Sequence, residues 1–94
     1  MATEIDGDLE WDDVKAAANH AKHGVTFHEA ISVFDDPSVI FVDDGAQADR
    51  VAAIGMSARA RMLLVVHVER VERDRIISAR PATAAEEGLY TQSR

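Results

Sequence analysis

Ninety-four residues suffice for one domain that buries about 60–65% of its unfolded surface and needs every element for its core. The chain has no cysteine, which excludes disulfides and zinc-thiolate sites, and no apolar run approaches the roughly 20 residues of a membrane span. The formal net charge of −7 argues against a nucleic-acid partner only if it is evenly spread.

It is not evenly spread. Residues 1–49 carry twelve acids against two lysines, Lys15 and Lys22, whereas Arg50 to Arg80 carry seven arginines against three acids. A local cationic surface on an acidic protein is therefore expected, and arginine is the side chain best shaped for phosphate. The acidic start, MATEIDGDLEWDD, has neither a basic n-region nor an apolar h-region, so a cytoplasmic protein with no signal peptide and no membrane contact is expected.

In chain order, residues 1–8 are acidic and without periodicity, the pattern of a frayed end and a solvated acidic tail. Leu9-Glu10-Trp11 reads as a short edge strand. Asp12 is a good N-cap for a helix through about Lys22, with Val14, Ala17, Ala18 and Ala21 on one narrow, small-residued face for close packing. Gly24 suits the left-handed position that closes a helix. A second helix starts at once, with Thr26 and Glu29 at capping-box spacing and Phe27, Ala30, Ile31 and Phe34 as its apolar stripe, and Asp35-Asp36-Pro37 stops it. Trp11, Phe27 and Phe34 are assigned to the core.

Val39 to Val42 is a short strand ended by the turn Asp43-Asp44-Gly45, and residues 45–49 form a loose connection. Arg50 to Ser57, Met62 to Val68 and Asp74 to Arg80 then form an antiparallel meander. Its middle strand is nearly continuous hydrophobe, which reads as buried on both faces and central in the sheet. Thr83 to Tyr90 is a short final helix with a second capping box, Thr83 and Glu86, weakened by Gly88. The fold class is α+β: one domain over 1–94, with two N-terminal helices on one face of a four- to five-stranded antiparallel sheet and a short C-terminal helix on that same face.

The segments LEWDDVKAAANHAKHGVTFHEAISVFDDP, RVAAIGMSA and VERDRIISARPAT resemble the BrnT toxin family. Its members read roughly F-E-W-D-x-x-K-A-x-x-N-x-x-K-H-G-V-[ST]-F-x-E-A-x-x-V-F-x-D-P, then I-G-x-S, then R-I-I-S-A-R-x-A-[ST]. Trp11, Asp12, Asn19, Lys22-His23-Gly24, Phe34, Asp36-Pro37, Gly55, Ser57 and Ile76 to Arg80 fall at compatible spacing, over nearly the whole stretch from Leu9 to Thr83. The resemblance implies a RelE-like fold and the toxin half of a type II toxin–antitoxin pair, acting as a ribonuclease without a metal. It also implies a BrnA-like ribbon-helix-helix antitoxin that neutralises the toxin and links it to DNA only indirectly, with room for a homodimer in the complex. The C-terminal helix here is acidic where members usually carry a basic one, which motivates an alternative: a weakly active or inactive module that binds the antitoxin and serves operon autoregulation.

Metal-free RNA cleavage needs a base for the 2′-hydroxyl, a cation for charge on the phosphorane and an acid for the departing 5′-oxygen. The candidate catalytic set is Lys22, His23, Glu69, Arg75 and Arg80, with Arg59, Arg61, His67 and Tyr90 as substrate-binding candidates. Lys22 and His23 serve either that chemistry or the capping of a helix dipole. The arginines are either phosphate ligands or a solvated rim. Arg75 and Arg80 differ by an odd number and share a face only if a bulge intervenes or Arg80 lies past the strand end. His67 and Glu69, on one face of the middle strand, either meet a phosphate or form a satisfied histidine beside an ion pair, and Tyr90 either stacks on a base or anchors its helix. No cofactor is expected, because a helix break separates His20 and His23 from His28 and no carboxylate joins them at metal-binding spacing.

Overall fold

A computed structural model describes residues 2–44 and 47–93. The strands are β1 (Thr3–Asp6), β2 (Leu9–Asp12), β3 (Ile40–Asp43), β4 (Arg50–Met56), β5 (Met62–Val68) and β6 (Asp74–Pro81), and the helices are α1 (Asp13–His23), α2 (Phe27–Ile31) and α3 (Ala84–Gln92). The strands form one six-stranded sheet in the order β1-β2-β6-β5-β4-β3. Four of the five strand pairings are antiparallel, but β2 runs parallel to β6 through Leu9 with Asp74 and Glu10 with Arg75. The expected four- to five-stranded antiparallel sheet is therefore corrected to six strands and a mixed sheet. A parallel contact between strands some sixty positions apart leaves no local signal in a sequence.

The expected frayed end is also corrected. Thr3–Asp6 forms the outer strand, so β2 is not at the edge, and the Asp13 N–H donates to the Ala2 carbonyl at 2.9 Å while the Ala2 N–H reaches the Asp13 carboxylate at 3.0 Å. Every β1 side chain is exposed, which removes the apolar alternation by which a strand is recognised. The turn expected at Asp43-Asp44-Gly45 runs into residues 45–46, which lie outside the described residues, as does residue 1 of the segment read as frayed.

The middle strand fulfils its reading: Leu63 through His67 are all buried. Alternate side chains enter two cores. Leu63 and Val65 join Trp11, Val25, Phe27, Ala30, Val33, Ala53, Ile76 and Ala79 beneath α1 and α2, while Leu64 and Val66 join Ala52, Ile54 and Tyr90 beneath α3. The third helix thus lies on the opposite face from the first two, not on the same one. A strand apolar on both sides demands a cover on each.

Helix starts and stops follow their residues. Asp12 accepts the Val14 N–H at 3.3 Å, Thr26 accepts the Glu29 N–H at 3.0 Å, and Gly24 closes α1 at φ +70° with its N–H on the His20 carbonyl. The second helix is shorter than its stripe suggested: α2 tightens at Ser32–Asp35 into a single 3-10 stretch. Only Thr83 and Glu86 complete a capping box; the Glu29 carboxylate leaves Thr26 for a tertiary role. Trp11 and Phe27 meet edge to face at 6.2 Å in the core, with Phe34 packed at its margin.

The face of α1 that packs is not the one expected. Val14, Ala17, Ala18 and Ala21 are exposed, and the buried residue of the helix is Asn19. Its Nδ2 donates to the Ala79 carbonyl at 2.8 Å and to the Val25 carbonyl at 3.0 Å, and its Oδ1 accepts the Ala79 N–H at 3.0 Å. Past Arg75 no strand among the described residues covers this edge of β6, so the amide supplies the two hydrogen bonds that a neighbouring peptide would. Asn19→Ala leaves three buried backbone groups unpaired and is expected to cost about 3 kcal/mol, which lowers the melting temperature by about 12–24 °C for a domain of this size. A calorimetric shift of only a degree or two would remove the clasp from its place in the fold.

Candidate functional site

Between the outer side of α1 and the uncovered edge of β6 runs an open groove of about 230 Å³, lined by Lys15, Ala18, Asn19, Lys22, His23, Ile77 and Ser78. Asn19 fixes its two walls together, and Lys15, Lys22 and His23 stand one helical turn to either side of that amide. Both lysines of the chain are here. Among the described residues no carboxylate lines this groove, whereas each of four other clefts has at least one: Asp6, Asp8, Asp35 and Asp74 in the largest of them, Glu4 and Asp13 beside Trp11, Glu86 with Asp43 and Asp44 under α3, and Asp35 with Asp36 near Met56. In a chain of net charge −7, this is the cleft whose wall suits an anion.

The parity problem on β6 resolves through a bulge. Val66 pairs with Ser78 but His67 pairs with Ile76, so Ile77 is an extra residue in the strand. Arg75, Ser78 and Arg80, opposite Val68, Val66 and Leu64, consequently share the α3 side of the sheet, and Ser78, between the two arginines, forms the groove wall. Each arginine already has a carboxylate. Arg75 Nη1 donates to Glu10 Oε2 at 2.5 Å, and Arg80 grips Glu86 with two bonds of 2.8 and 2.9 Å. The Arg80 fork is the main reason that the Glu86 carboxyl is lowered to about 2.

The remaining candidates are placed apart from the groove. Arg61 enters the opposite side of the sheet, where Nε donates to Glu29 Oε2 at 2.9 Å, Nη2 bonds Glu29 Oε1, and Nη2 also reaches the Gly24 carbonyl at 3.0 Å. It ties the end of α1 to α2, while Ser57 donates to the same carboxylate at 2.7 Å. The Arg61 hydrogen bonds, ahead of those from Ser57, hold Glu29 below the usual carboxylate range. Arg59 is exposed in the turn between β4 and β5, and Glu69 is exposed in the loop at the far end of β5.

His67 is 2% exposed, edge to face with Phe34 at 5.2 Å and Phe41 at 6.0 Å, and its Nδ1 lies 3.7 Å from Asp74. Burial pushes its pKa down against the pull of Asp74 and Glu69, so it is a neutral core ring at pH 7. Tyr90 is buried as well, with its hydroxyl donating to Asp36 Oδ2 at 2.7 Å. His28 stands edge to face against Trp11 at 5.1 Å, away from His23. Among the described residues no group of three or more His, Asp or Glu is arranged to hold a metal ion.

The structure thus brings Lys22 and His23 to Ile77 and Ser78 of β6, in a groove that neither Arg75 nor Arg80 lines; Arg80 faces the cleft under α3, Arg75 is tied to Glu10, and Arg59, Arg61, His67, Glu69 and Tyr90 lie elsewhere. Two groove residues, Lys15 and Ser78, were not singled out from the sequence. Lys15 had a usable signal in its seven-residue spacing from Lys22, which returns to the same helix face. Ser78 had none, because its direction depends on the bulge. Chemically, the groove offers a titratable imidazole at the end of a helix, two ammonium groups and a hydroxyl, which is a set for binding phosphate and moving a proton.

Comparison with known proteins agrees with this fold. No curated protein gave a sequence match. The crystal structure of the Brucella abortus ribonuclease toxin BrnT is similar, with a TM-score of 0.63, 28% sequence identity, and coverage of 78% of this chain and 92% of that one. The family model described as the ribonuclease toxin BrnT of type II toxin–antitoxin systems matches residues 11–86, a span that runs from the core tryptophan through the groove to the carboxylate gripped by Arg80. This chain belongs to the BrnT family of ribonuclease toxins.

Proposed function

We propose that this protein is the toxin of a cytoplasmic type II toxin–antitoxin pair and that it cleaves RNA without a metal, in the groove between α1 and β6. The observation that carries the reading is the convergence of Lys22, His23 and Ser78 on one carboxylate-free cleft of an acidic protein. In the reaction a 2′-hydroxyl loses its proton and its oxygen bonds the adjacent phosphorus. The P–O5′ bond then breaks, leaving a 2′,3′-cyclic phosphate and a 5′-hydroxyl that takes up a proton. The His23 imidazole, which can both accept and donate a proton, moves the proton, and Lys22 neutralises charge on the phosphorane. Arg75 and Arg80 stand outside the groove's lining, on the α3 side of β6, and would serve phosphates of a longer strand only by exchanging Glu10 and Glu86 for phosphate oxygens. A ribbon-helix-helix antitoxin of the BrnA type is the partner.

One observation favours a second reading. Arg61, Arg75 and Arg80 each hold an acidic side chain, which leaves less cationic surface for RNA than their number suggests and fits a module that binds its antitoxin with little cleavage.

Purified protein, single-stranded RNA and EDTA separate the two. The nuclease reading expects products with 2′,3′-cyclic ends, a loss of about 10²–10⁴-fold in His23→Ala, and a smaller loss in Lys22→Ala. Equal cleavage by all three proteins sinks the assignment of the groove. Replacement of Glu86 by Gln adds a second test, because Gln keeps the capping box but frees the Arg80 fork. A carboxyl lowered from 4.5 to about 2 contributes stability that is present above pH 4.5 and disappears as pH falls toward 2. Glu86→Gln is therefore less stable than wild type in urea at pH 7 and loses less on acidification, while its RNA affinity rises if Arg80 serves phosphate and stays put under the second reading.

A further inference from the structure

The groove extends beyond the residues that the reaction requires. Lys15 lies at its other end, seven residues and about 10 Å along the helix axis from Lys22. Ala18 sits between the two on the same stripe and has no side chain beyond its methyl group, so the trough stays open from end to end. Lys15, Ala18 and Lys22 are exposed, and no ion pair claims either lysine among the described residues. The wall opposite is the strand edge that β2 leaves uncovered after Glu10. A volume of about 230 Å³ is below the ~300–1,000 Å³ that encloses a drug-sized ligand, and suits a strip of sugar–phosphate backbone lying in a trough.

We infer that Lys15 is a second phosphate anchor, which holds the substrate strand along α1 so that a phosphate beyond the cleaved one sits at Lys15 while the cleaved one sits at Lys22, His23 and Ser78. The inference rests on the reading of the groove as the RNA site. Its physical content is a register: one ammonium group at the reacting phosphate, and another about 10 Å away along the helix axis that fixes the direction and reach of the strand. Asn19 is the positioning residue for both lysines, since its clasp on Ala79 sets the rotation of α1.

The test uses 2′-O-methyl oligonucleotides, which bind but lack the nucleophile, titrated between about 50 and 200 mM salt. One probe is a hexanucleotide and the other a dinucleotide with a single phosphate. For Lys15→Ala, an exposed helix position where alanine favours the fold, the salt slope of log affinity for the hexanucleotide falls by about 0.7, and Lys15→Arg restores it. The dinucleotide is unaffected by Lys15→Ala but weakened by Lys22→Ala. An unchanged hexanucleotide slope in Lys15→Ala, an equal loss on both probes, or no binding of the hexanucleotide to the wild type overturns the anchor. Lys15-dependent binding in a protein that cleaves nothing keeps the anchor and removes the ribonuclease reading; cleavage with a Lys15-independent slope does the reverse.

Discussion

The clasp of Asn19 on Ala79 is the contact on which the rest of the molecule depends. A helix normally docks through an apolar stripe, and α1 has one candidate stripe in Val14, Ala17, Ala18 and Ala21, all of which face solvent. The amide wins because the edge of β6 is bare after Arg75, and a buried edge with unpaired N–H and C=O groups costs more than burial of a few methyl groups returns. One side chain satisfies the strand and, through Val25, the turn that follows the helix. The rotation of α1 follows from it, and so does the line of Lys15, Ala18 and Lys22 along the rim of the groove.

The same economy recurs at the other joints. Asp36 extends the ladder ahead of the first residue of β3, since its carboxylate accepts the Met56 N–H at 2.8 Å and also the Tyr90 hydroxyl. Gly55 leaves room beside it, because a Cβ there would meet Val33 Cγ1 at 2.9 Å. Glu29 gathers Ser57 and Arg61, and Glu86 gathers Thr83 and Arg80. Asn19, Asp36, Gly55 and Ser57 are among the residues that carry the resemblance to the BrnT family. What the resemblance records at these positions is a set of polar fastenings between elements distant in the chain.

That explains how far the fold was legible. Caps, stops and the doubly buried β5 are written locally, in Asp12, Gly24, Thr83 and the run from Met62 to Val68, and they stand in the structure as read. The parallel join of β2 to β6, the strand made of exposed residues at 3–6, and the placement of α3 across the sheet depend on what is already assembled nearby, so local pattern missed them. The site divides in the same way. Lys22 and His23 follow from a helix end and a motif, whereas the agreement in direction of Arg75, Ser78 and Arg80 needs the extra residue at Ile77. Tyr90 and His67 looked available in one dimension and are buried in three.

Charge completes the argument. Seventeen acids compete for ten strong cations, and arginine wins the carboxylates because its planar fork matches two oxygens at once, as Arg80 does on Glu86 and Arg61 on Glu29. Lysine is a compact, well-hydrated point charge with less to gain from such pairs. Arg61, Arg75 and Arg80 are tied into the scaffold in this way, whereas the two lysines stay exposed on α1. On the proposed reading the excess of acid elsewhere has a use: with carboxylates in the walls of the other clefts, a polyanion would be repelled from them and directed to this groove. A net negative protein can in this way confine a nucleic acid to one trough more sharply than a uniformly basic one, whose whole surface would attract it.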